Sequence, residues 1–188
     1  MKLFTMEEIR DIVISILALT LVFSFPDIES LFFVSFIIVS ISFLLCEMGH
    51  KIMATRLGCT ATFKLWPPGI MLSLFSIALK YIGGFGIFTP GHIEIAPYKF
   101  GRWGIKVIRL TPHDLGIISL AGVGINIILA CVFLLIPGEF FSMLSQINVL
   151  LAFFNLLPIP PLDGSKIFLW SFSIWFFLMS ITVIIFVL

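Results

Sequence analysis

Charge is what this chain has least of. Lys, Arg, Asp and Glu make up 11% of its 188 residues, against 60% hydrophobic residues, whereas a soluble domain carries about 25% charged residues. That is too little to cover a water-facing surface, and a mean hydropathy of +1.21 implies a polytopic membrane protein. A net charge of +1 leaves no electrostatic footprint for nucleic acid. Cysteine is scarce as well. Cys46, Cys59 and Cys131 are odd in number and lie in or beside apolar stretches, which argues against a disulfide framework and for a reduced, cytosol-facing setting. No long-period repeat is visible, and no inverted repeat of the kind that would suggest a small transporter or channel. The opening Met-Lys-Leu-Phe-Thr-Met-Glu-Glu is too acidic for a signal peptide, and no small-x-small cleavage site follows. The first apolar run is therefore expected to remain as a span.

Apolar runs make up most of what is present. Ile9 to Phe25 stops at Pro26 and is only just long enough to cross ~30 Å of hydrocarbon. An acidic turn, Asp27-Ile28-Glu29, leads into the long run Leu31 to Leu57, which ends in Lys51 and Arg56 with Gly58 as a helix stop. The positive-inside rule puts the N-terminus and the region after Arg56 in the cytosol. Cys59 to Trp66 alternates like a strand. Ile70 to Phe88 is interrupted by Lys80, Gly83, Gly84 and Gly86, too short for a full span and expected to be re-entrant. Ile93 to Leu110 reads as a surface hairpin with a turn near Pro97 to Gly101. Leu115 to Ile136, Phe140 to Leu157 and Ile167 to Leu188 are the remaining spans. The expectation is an all-α polytopic membrane protein of about five to six transmembrane helices with a re-entrant segment and small β elements. It forms one membrane-embedded domain over 1–188.

The long run also carries the chemistry. Fifteen uncharged residues, Leu31 to Leu45, lead into Cys46-Glu47-Met48-Gly49-His50, with apolar residues beyond. An ionisable pair at membrane depth costs on the order of 3 kcal/mol per charge on insertion scales and points to function. Cys46 and His50 are one helical turn apart on one face, with Glu47 offset by roughly 100°. That is the spacing of the zinc helix H-E-x-x-H, with a cysteine, itself a zinc ligand type, in the first position. Asn155-Leu-Leu-Pro-Ile-Pro-Pro-Leu-Asp163-Gly164 puts a carboxylate just past prolines that unwind a helix, well placed to give zinc an oxygen ligand. Leu120-Ala-Gly-Val-Gly-Ile-Asn126 supplies small residues for close helix approach and a polar side chain inside the membrane. The charge-derived topology puts His50 and Asp163 on the same side.

These elements, in this order, resemble the site-2 family of intramembrane zinc metalloproteases from about Phe43 to Lys166. Members carry H-E-x-x-H on one membrane helix, N-x-x-P…D-G on a later one and an A-G-P-x-x-N-like segment between. The resemblance implies cleavage of transmembrane segments of membrane proteins, with Zn2+ as cofactor, His50 and Asp163 as ligands and Cys46 in the remaining ligand position. Glu47 would be the general base, and Asn155 would position substrate or stabilise the oxyanion. It also implies a multi-pass protein of the cell membrane with its site toward the cytosol. Unwound substrate would add to a strand edge, either Cys59 to Trp66 or the Ile93 to Leu110 hairpin.

Two positions depart from the family. Val123 and Gly124 follow Ala121-Gly122 where proline is common, and Cys46 replaces the first motif histidine. Cysteine is shorter and its thiolate donates more charge, weakening zinc as a Lewis acid. The residues leave open a slower zinc protease, a metal site without turnover, or no metal. The alternative function is a catalytically impaired relative that binds membrane helices or a partner without cutting. Glu47 and His50 would then be a hydrogen-bonded pair inside a bundle and Cys46 an inert buried residue. Asn126 reads as an interhelical hydrogen-bonding residue, and His92 and His113 as solvated or structural.

Overall fold

The computed structural model describes residues 4–81, 89–101, 104–107 and 109–188. Among them are seven helices and two small antiparallel ladders. Helix α1 (Met6–Ser24) opens on a capping box, Thr5 with Glu8, and α2 (Ile28–Arg56) ends where Gly58 turns the chain at φ 79°. That positive φ is open to glycine at little cost, so the expected helix stop is found. Helix α4 (Pro112–Leu134) begins with proline in its first turn and a second capping box, Thr111 with Asp114. Helix α5 (Glu139–Asn155) follows Gly138 and leads into the proline-rich loop.

By length and apolarity α2 and α4 are the two helices, among the described residues, long enough to cross a membrane. Large apolar side chains such as Phe33, Ile37, Phe75, Phe176 and Ile184 are exposed, as expected of a membrane protein whose outer surface meets lipid. The last run is not one helix. It divides into α6 (Asp163–Trp170) and α7 (Phe172–Val187) at Ser171, whose extended backbone (φ −154°, ψ 108°) breaks the ladder while its hydroxyl accepts from the Ile174 N–H. Apolarity runs through the break unchanged, so the break is invisible to hydropathy. Helix α3 (Pro67–Tyr81) covers the start of the expected re-entrant piece; its glycines at 83, 84 and 86 lie outside the described residues. At 15 residues it reaches about 22 Å, short of the ~30 Å hydrocarbon layer.

The β pairing also differs from the expected hairpin. Strand β1 (Thr60–Leu65) pairs antiparallel with β2 (Gly91–Ala96), Phe63 opposite Ile93. Strands β3 (Tyr98–Gly101) and β4 (Gly104–Val107) form a separate, tighter hairpin. Alternation marks a strand but does not name its partner. Here Phe63 and Ile93 both bury against the α2 core, and that burial selects β1 for β2.

The outer edge of β1 is closed by side chains of α1 and α2. Glu8 Oε1 accepts from the Phe63 N–H at 2.8 Å and Asp11 Oδ2 from the Leu65 N–H at 3.3 Å. Lys51 Nζ donates to the Ala61 carbonyl at 3.1 Å and pairs with Glu8 at 2.7 Å. The carboxylate and ammonium replace the strand that this edge lacks. Glu8 is 2% exposed, so Glu8→Ala strands a buried ammonium and an orphaned N–H. It is expected to lower stability by about 3–5 kcal/mol. A thermal midpoint of purified protein unchanged in Glu8→Ala would refute this bracing role.

Candidate metal centre

Helix α2 carries Cys46, Glu47 and His50 to its buried face, at 3%, 4% and 1% exposure. The helical spacing does what the sequence suggests: Cys46 Sγ lies 3.6 Å from His50 Nε2. Helix α4 meets this face through small residues. A Cβ on Gly49 would lie 2.7 Å from the Ala121 carbonyl oxygen, and one on Gly122 would lie 2.0 Å from His50 Nε2. The absent side chains are what bring the two helices together around the imidazole. On its other side, His50 Nδ1 is 2.9 Å from the Ile118 carbonyl oxygen. A carbonyl only accepts, so Nδ1 carries the proton in this contact and the lone pair of the neutral ring is on Nε2.

Asp163 arrives from far along the chain. The prolines after α5 keep the chain from continuing as a helix, and α6 then starts against the end of α5. Gly164 packs so tightly there that a Cβ would fall 2.1 Å from the Leu156 carbonyl oxygen. Trp175 Nε1 donates to that same oxygen at 2.7 Å and pins α7 onto the loop. Asp163 Oδ2 consequently stands 3.2 Å from His50 Nε2. Its other oxygen, Oδ1, accepts from Ser119 Oγ at 2.9 Å and Lys166 Nζ at 3.1 Å. Two donors hold Oδ1, which leaves Oδ2 turned toward the histidine.

The nitrogen lone pair of His50 is thus faced, out of water, by both a sulfur and a carboxylate oxygen. A metal cation at that lone pair would satisfy both contacts. Zinc bonds of about 2.3 Å to sulfur and about 2.0–2.2 Å to nitrogen or oxygen, opened at a tetrahedral angle, separate S from N by roughly 3.6 Å and N from O by roughly 3.4 Å. The observed 3.6 and 3.2 Å fit that spacing, and the short cysteine side chain reaches it. The donor atoms of Cys46, Glu47 and His50 all lie within 4.8 Å of one another, and Asp163 adjoins that group through His50. Glu47 Oε2 is buried and has no hydrogen-bond partner, which is costly unless something occupies the space beside it.

Three of the four side chains expected around the metal, Cys46, Glu47 and Asp163, line one cavity, and His50 does not. Cys46, Glu47, Asn126, Asn155 and Asp163 line it together with Ile93 of β2. Asn126, expected to bond between helices, instead has its Oδ1 buried and unpartnered. His92 is half-buried on β2, its Nδ1 also without a partner. Burial, with the Lys166 ammonium adding to it, holds its pKa below the ordinary histidine value. His113 lies away from the site, edge-on to Trp170. The sequence reading missed Ser119, Lys166 and the Ile118 carbonyl. Only Lys166 left a trace, since it lies three residues after Asp163 and so on the same helix face.

Comparison with known proteins identifies a family. The family model described as peptidase family M50 matches residues 137–176, the stretch from α5 through the proline loop into α7. A protein of Methanocaldococcus jannaschii named "Putative zinc metalloprotease" is 36% identical over 182 residues, covering 92% of this chain and 88% of its own length. The chain belongs to peptidase family M50. A Bacillus subtilis protein bearing the same description is 30% identical over 150 residues, 68% of this chain and 64% of the relative. No solved structure matches. The similarity to the Methanocaldococcus jannaschii protein extends well beyond the 137–176 segment.

Proposed function

We propose that this M50 chain is a zinc-dependent endoprotease that cuts transmembrane segments of other membrane proteins inside the bilayer. Cys46, His50 and Asp163 would hold the metal. The observation that carries the reading is the paired approach to His50 Nε2, by Cys46 Sγ at 3.6 Å and Asp163 Oδ2 at 3.2 Å, with Nδ1 already engaged by Ile118.

Zinc held by these residues would supply a Lewis acid for the scissile carbonyl and for the attacking water. Glu47 takes the proton of that water on its unpartnered Oε2 and returns it to the leaving amine. Asn155, on the cavity wall, orients the peptide and offers its amide to the carbonyl oxygen as charge develops there. The scissile segment must be extended to be cut, and an extended backbone needs partners. The edge of β1 is filled by Glu8, Asp11 and Lys51; on β2 Lys166 holds the Ile93 carbonyl, but Gly91 and Ile93 of that strand line the cavity. The substrate strand therefore adds to β2. The helices beyond α2 and α4 complete a multi-pass unit of about five to six crossings, with α3 re-entrant. The positive residues after α2 support a site toward the cytosolic side of the cell membrane.

Elemental analysis of protein purified without added metal tests this reading. One zinc per chain is expected, falling below about a tenth in Asp163→Ala, because a site that loses a ligand loses much of its metal affinity. Wild-type protein with no zinc after reconstitution would overturn the protease and leave a helix-binding relative.

A further inference from the structure

The Lys166 side chain reaches beyond the metal centre to a second element of the fold. It lies on α6, three residues after Asp163, and is mostly withdrawn from solvent at 18% exposure. Its ammonium donates to two acceptors on different elements: Asp163 Oδ1 at 3.1 Å and the Ile93 carbonyl at 2.9 Å. The second contact is specific to the geometry of the sheet. Phe63 and Ile93 face each other across the ladder, and the Phe63 N–H points away from β2 toward Glu8. In an antiparallel pair, opposed residues direct their polar groups the same way with respect to the ladder, both inward or both outward. The Ile93 carbonyl therefore points outward from β2, toward α6 and the cavity, where Lys166 takes it.

We propose that Lys166 is a positioning residue that fixes the Asp163 carboxylate by anchoring it to the edge of β2. Lys166 and Ser119 together occupy Oδ1, so the carboxylate cannot rotate and presents Oδ2 alone at the His50 side. Ser119 holds it from α4 and Lys166 from the sheet. Without the lysine, one neutral hydroxyl remains, and the carboxylate can turn about its Cβ–Cγ bond away from the His50 side. A metal ligand whose outer partners are removed typically binds 10–100-fold more weakly. The Ile93 carbonyl is also where an added substrate strand would seek a donor, so Lys166 stands where the sheet edge and the metal centre meet.

The inference rests on the proposed metal site, and chelator competition in detergent separates the two. Lys166→Met is expected to raise the zinc dissociation constant about tenfold or more. Lys166→Arg, which can still donate to both oxygens, should stay within about threefold of wild type, and Ser119→Ala should weaken zinc like Lys166→Met. Metal-free thermal midpoints check that the variants fold; Lys166→Gln replaces the methionine variant if that one does not. Zinc held by Lys166→Met within twofold of wild type, or lost equally from Lys166→Arg, overturns the positioning role alone. A wild-type protein that takes up no zinc overturns the metal-site reading and this inference with it.

Discussion

Glu47→Gln is expected to lower the turnover number by about 10²–10⁴-fold while leaving zinc content at the wild-type level. The two side chains are nearly isosteric, so packing on the α2 face is kept. What changes is basicity: an amide cannot accept the proton of the attacking water at neutral pH, and Glu47 Oε2 is the buried carboxylate oxygen left without a protein partner beside Cys46 and His50. Stability should not fall with activity. Replacing a carboxylate that is 4% exposed removes a desolvation penalty, so the thermal midpoint is expected to hold or rise. That opposition separates a catalytic role from a structural one. Cleavage of a reconstituted transmembrane substrate by zinc-loaded Glu47→Gln at near wild-type rate would remove Glu47 from its assigned role. A lower midpoint with lost zinc would instead make it part of the scaffold.

The parts of this molecule that could be read in the sequence are those fixed by local spacing. Cys46 and His50 had to share a helix face, and the expected spans Leu31 to Leu57 and Leu115 to Ile136 agree with α2 and α4 to within a few residues. Bringing Asp163 to the same centre needed only topology and a proline loop. The parts that could not be read depend on partners distant in sequence or on a single backbone angle. Nothing near Glu8 says that its carboxylate will cap the Phe63 N–H, 55 residues away. Ser171 breaks a uniformly apolar run by one extended residue, and its serine is the only cue, as an N-cap. The strand alternation around Ile93 was legible, but its pairing with β1 was decided by burial against α2. Nothing around Lys166 announces its second acceptor, because Ile93 sits on another element.

Gly122→Ala should remove the metal site with one methyl group. The added Cβ would fall 2.0 Å from His50 Nε2, 2.3 Å from Cε1 and 2.4 Å from Cδ2, where nonbonded carbon contacts need about 3.5 Å. Something must move by more than an ångström, and the ring has little room to do so. His50 is 1% exposed, tied to the Ile118 carbonyl at Nδ1 and flanked by Cys46 and Asp163 at Nε2. Gly49 fixes the helices from the other side, its own space closed by the Ala121 backbone, so α4 cannot simply slide away. The ring must leave its position facing the thiol and the carboxylate, and zinc content is expected to fall below about a tenth of wild type, with cleavage falling in parallel. Gly124→Ala is the matched control on the same helix. A Cβ there meets nothing within 4 Å, and alanine in a helix interior gains about 1 kcal/mol over glycine. That variant should bind zinc as wild type does and melt no lower. Equal zinc in both variants would mean that α4 does not press on the imidazole, and the close approach at Gly122 would lose its part in shaping the site.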